Sequence, residues 1–160
     1  MIKQSILTLG LLALAAGTAQ AATISIGYSE SFQEKLEDDL GEREGERLKE
    51  YVTQSLERAF EKRGVDAARL DVTIEDAKPN RPTFEQLSQR PGLDFGRSIS
   101  IGGADFTAVA YDEAGNVLAE VDYDWFENDL RDVIGSGTWS DARRATRQFA
   151  NRMAKSLDTQ

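Results

Sequence analysis

Cysteine and histidine are both missing from the 160 residues. Without cysteine the chain has no disulfide, no thiolate nucleophile and no thiolate zinc site. Without histidine it lacks the commonest general base near neutral pH and the commonest transition-metal ligand. The serines of "IGSGTWS" lack the strand-to-helix elbow of a serine hydrolase. The glycines of "SIGGAD" are not spaced as a phosphate loop or a dinucleotide fingerprint. No cofactor is implied, and carboxylates are the main groups left for catalysis.

Long apolar runs are also missing. The one that exists, Ile6 to Ala16, is well short of the roughly 20 residues that span a bilayer. It follows Lys3 and precedes Ala19-Gln20-Ala21, the three-part form of a secretory signal cleaved after Ala21. The expectation is a signal peptide over residues 1–21 and a single domain over 22–160, periplasmic or secreted. No cysteine follows the apolar run to accept a lipid, so no stable membrane anchor is expected after cleavage. Removing Lys3 leaves 18 basic residues against 28 acidic ones, a net −10. That balance argues against nucleic acid and anionic membrane surfaces as partners.

Apolar periodicity supplies the elements. "TISIGY" (23–28) alternates as a strand, and the polar stretch after it is expected to be mobile or partly helical. From about Glu46 to Arg63, Leu48, Val52, Leu56, Ala59 and Phe60 share a helical face that Gly64 ends. "RLDVTIED" alternates as a second strand. Residues 98–111 read as a long strand whose phase changes at Gly102-Gly103, which predicts a bulge there. "DEAGN" (112–116) is a hairpin turn with Gly115 at positive φ, and "VLAEVDYDWF" is the returning strand. Thr138 to Asp141 matches a capping box ahead of a helix carrying Ala142, Ala145, Phe149, Met153 and Leu157. The expected fold is α+β in two layers: a mostly antiparallel four-stranded sheet with two helices on one face, in the order strand-helix-strand-loop-strand-strand-helix.

All three prolines, Pro79, Pro82 and Pro91, fall in one connection, residues 77–97, together with Arg81, Arg90 and Arg97. Connections of this length are usually functional or disordered. Phe84, Leu87, Leu93 and Phe95 give this one apolar anchors, and Thr83 can cap a helical turn in "TFEQLSQ", so an ordered loop is expected. Its arginines either pair with the carboxylates of "EVDYDWFEND" or hold an anionic group of a partner. Trp139, beside a glycine-rich link, is a candidate for the same binding surface, with packing as its alternative. Asp122 and Asp124 stand two apart on a strand. Their first reading is a solvated face; the alternatives are a calcium-stabilised module or a carboxylate pair acting on glycan.

At "DAKPNRPTFEQLSQRPGLDFGRSISIGGAD" and "TWSDARRATRQFANRMA" the chain resembles an uncharacterised bacterial family of small secreted proteins. It is also similar to periplasmic α+β domains of envelope lipoproteins, except for the missing lipid-acceptor cysteine. The resemblance implies export and carries over no catalytic or metal-binding residue. The function expected is non-enzymatic binding in the bacterial envelope, with a protein or an anionic envelope component as partner.

Overall fold

The computed structural model describes residues 22–159; the segment read as a signal peptide lies outside them. β1 (Thr23–Tyr28) leads into α1 (Glu30–Lys35), a π-helical turn (Leu36–Leu40) and α2 (Glu42–Arg63). The polar stretch is therefore helical except at its cap, Ser29, and at Gly41, where φ is +93°. Ser29 caps α1 by accepting the Phe32 amide at 3.3 Å, and Phe32, Leu36 and Leu40, four residues apart, are all 1% exposed. Gly64, in the left-handed region at φ +65°, ends α2.

β2 (Arg69–Lys78) pairs with β1 in parallel, which the long helical crossover permits. A connection bearing α3 (Phe84–Gln89) leads to β3 (Gly103–Tyr111), antiparallel to β2, and a hairpin leads to β4 (Val117–Phe126). Gly115 in that hairpin has φ +85°, the conformation its turn requires. A 3₁₀ turn (Leu130–Val133) and α4 (Ser140–Asp158) complete the chain. The sheet is thus mixed, in the order β1-β2-β3-β4. Among the described residues it is accompanied by four α-helices, the two expected on its face and two of six residues each, α1 and α3.

The expected bulge is not at Gly102-Gly103. Residues 98–102 are irregular and β3 begins at Gly103; the register shifts lie at Glu75 in β2 and Leu118 in β4. The two glycines answer crowding instead. A Cβ on Gly102 would come within 2.8 Å of the Lys78 carbonyl oxygen, and one on Gly103 would strike the backbone of Trp125 and Phe126.

One face of the sheet is apolar. Leu70, Val72 and Ile74, then Phe106, Ala108 and Ala110, then Ala119 and Val121 are buried there, in one cluster with Val52 and Leu56 of α2 and Phe149 and Met153 of α4. Phe106 and Phe149 stack at 4.8 Å between ring centroids. The alternate positions carry Asp71, Thr73, Asp105, Thr107, Glu120, Asp122 and Asp124, half-buried or exposed.

Candidate functional site

The proline-bearing connection is held by a buried polar staple. Asn80, fully buried, donates its amide to the Thr138 carbonyl at 2.7 Å and accepts the Ser100 amide at 2.9 Å. Its side chain donates to the Asp141 carboxylate and accepts the Asp141 amide. The same carboxylate accepts the Gly102 amide at 3.1 Å. One asparagine thus joins both ends of the connection to the start of α4. This is where Asp141 is spent, and the capping box expected at Thr138 does not form: α4 begins at Ser140 with no side-chain cap. The box that does form is at Thr83, whose hydroxyl accepts the Gln86 amide while Gln86 accepts the Thr83 amide.

Arg81 clamps the connection from inside. Its Nε donates to the Ser136 carbonyl at 2.5 Å, and Nη1 donates to the Phe95 and Gly96 carbonyls at 2.7 and 3.0 Å. Arg90 pairs with Asp39 of the π-helical turn, which also accepts Gln86 Nε2 at 2.8 Å. Lys35 reaches Asp76 at 2.7 Å and the Ala77 carbonyl at 3.2 Å.

These contacts leave a groove of about 390 Å³ between the connection and the π-helical turn. Lys35, Lys78, Arg81 and Arg90 line it against a single carboxylate, Asp39, and Leu40, Pro79, Pro82, Leu93 and Ile99 supply apolar walls. In a chain of net charge −9, four cations around one groove are a local reversal of sign. Lys78 is exposed and has no ion pair among the described residues. Its charge is available to an anion without breaking an existing pair.

Of the arginines singled out in the sequence, Arg81 and Arg90 meet in the groove. Arg97 is exposed and does not line it. None of the three pairs with the acidic strand, because Arg81 is spent on carbonyls and Arg90 on Asp39. Trp139 is a correction: it is 2% exposed, and its indole N–H donates to the buried Glu44 carboxylate at 2.6 Å. The position after the link turns the ring into the core, so it offers no binding surface. Sequence reading missed Lys35, Lys78 and Asp39, which join the site only through the fold.

The acidic strand forms a different surface. Asp105 lies directly opposite Asp124, and Thr107 opposite Asp122. Partial burial first, then the charges of Asp122, Asp124, Glu75 and Asp76, push the Asp105 carboxyl above its ordinary value. Asp122 and Asp124 are exposed on the same side of β4, not on facing walls of a cleft as a glycosidase pair would be. Among the described residues no group of three or more carboxylates is arranged to hold a metal ion.

No protein-family model matches the chain, and no curated protein is significantly similar to it.

Proposed function

We propose that the chain is a non-enzymatic binding protein of the bacterial envelope or secreted space, whose groove receives an anionic group of its partner. The observation that carries this reading is the meeting of Lys35, Lys78, Arg81 and Arg90 over apolar walls in an otherwise acidic molecule. Clefts lined by one sign of charge concentrate ligands of the other.

The neighbourhood supports a protein as that partner. Among the described residues, Phe84, Phe95, Leu130 and Ile134 are four of the five exposed large apolar side chains. All four lie on the connection or on the link before α4, the two segments that Arg81 ties together. Aromatic and arginine residues are enriched where proteins meet. The two-layer arrangement, α2 and α4 sharing one sheet face, fits the same reading: the core is closed without these residues, which are left for a partner. The whole is read as an exported chain beginning at Ala22, with no nucleic-acid partner and no membrane anchor.

Lys78→Glu reverses the one groove cation that has no oxygen partner among the described residues, without touching the staple. Partner capture by the purified chain from envelope extracts should fall about tenfold, the worth of one charge-assisted contact, with unfolding unchanged. Equal capture by Lys78→Glu and the parent chain would remove the groove from the account. Mass analysis of the exported chain checks the compartment: a mature mass starting at Ala22 is expected, and an unprocessed chain in the cytoplasm would sink the envelope reading.

A further inference from the structure

The sheet has two edges, and they are built differently. β4 carries Glu120, Asp122 and Asp124 on its outer face and an irregularity at Leu118, the devices that discourage edge pairing. β1, "TISIGY", has no charge, no proline and no register shift. A six-residue, uncharged, β-favouring edge segment is a template for another strand.

The geometry of β1 also states what fits it. The Thr23 and Ser29 amides donate to the Ala68 and Ile74 carbonyls of the β2 side. Successive backbone groups of a strand point to opposite edges, so the amides and carbonyls of Ile24, Ile26 and Tyr28 point outward. We infer that β1 pairs antiparallel with β1 of a second copy of this chain, about a two-fold axis at Ile26, joining two sheets into one. In that register Ile26 faces its counterpart and Ile24 faces the second copy's Tyr28. Every outward residue forms a hydrogen-bonded pair, giving about six bonds.

The side chains agree with this pairing. Ile24, Ile26 and Tyr28 are only partly buried against the core, and each would gain an apolar neighbour across the axis. On the other face Ser25 meets Gly27, so no like charges stand opposite each other. The carboxylates of Asp71 and Glu75 on β2 would be three strand spacings from their counterparts, roughly 14 Å. That exceeds the screening length of about 8 Å at physiological salt. Six residues cover less than the ~1,000 Å² of a lasting interface, so the dimer is concentration-dependent.

The absence of cysteine makes the test direct. Sedimentation of the purified chain from micromolar to millimolar should show monomer giving way to dimer. Under mild oxidation Ile26→Cys should form a disulfide-linked dimer, because a hydrogen-bonded pair sets the Cα atoms ~5.5 Å apart, within disulfide range. Val117→Cys on the other edge should not. Ile26→Pro removes an outward amide together with a half-buried side chain and should abolish the dimer with the circular dichroism retained. If that variant fails to fold, Ser25→Lys, on the exposed face, should weaken the dimer by about tenfold or more. A chain that stays monomeric to millimolar, or a dimer that crosslinks equally at position 117 or persists in both Ile26→Pro and Ser25→Lys, overturns the inference.

Discussion

The groove and the outer face of the sheet are both dense in charge, and they differ in everything else. In the groove, cations from β2, α1 and the connection converge over proline and aliphatic walls, and three of the four are held by defined oxygen partners. On the sheet face, carboxylates of one sign stand side by side on strands, and one of the half-buried ones, Asp105, is held above its ordinary pKa by burial and by its neighbours. A concave site made from four parts of the fold can grip an anion; an exposed row of like charges keeps strands and other acidic surfaces away. Charge density along a sequence does not distinguish these cases, and geometry does.

The staple is the part of the groove most sensitive to substitution. Asp141→Ala leaves one Asn80 side-chain N–H and the Gly102 amide without their shared acceptor in the interior, and should cost about 3 kcal/mol in urea unfolding. It should also open the groove, seen as faster hydrogen exchange over 77–102 with the sheet face unaffected. Next in size is Trp139→Phe. It removes the indole donor and leaves Glu44 without that bond, for about 2 kcal/mol in the same measurement, with no loss of partner capture beyond the unfolded fraction. A full-stability variant that lost capture would return Trp139 to the binding surface.

A smaller effect is expected on the sheet face. Because its pKa is raised in the folded state, folded Asp105 binds its proton more tightly than the unfolded chain does. Stability contributed by that group is therefore present below the ordinary carboxylate value and is lost as pH rises through the raised one. Asp105→Asn removes the loss. It should stabilise the chain by about 0.2–1 kcal/mol at neutral pH, the range for cross-strand pairs, with the gain vanishing in acid. A destabilised variant at neutral pH would mean that the carboxylate is held by a favourable partner instead.

Much of the architecture was legible in sequence because it rests on periodicity. Leu70, Val72 and Ile74, and Leu48, Val52 and Leu56, lie where alternation and helical spacing put them. The Phe32, Leu36, Leu40 spacing was an equally good helical signal, masked by the acidic residues between them. The candidate site was legible only in part. Arg81 and Arg90 stood out through the prolines beside them, whereas Lys35 and Lys78 are separated by 43 positions and share a groove only because the crossover returns β2 beside β1. The role of Asp141 was misread because a carboxylate near a helix start suits a capping box as well as it suits a distant asparagine, and only the fold brings Asn80 to it.

The claim that the groove, and not the acidic face, meets the partner is tested most directly by photo-crosslinking in intact cells. A benzoyl-phenylalanine at Leu93, on the groove wall, should give a discrete covalent adduct that Lys78→Glu lowers about tenfold, and the same probe at Asp122 should give none. An adduct from Asp122 with none from Leu93, or one at Leu93 indifferent to Lys78→Glu, would contradict it.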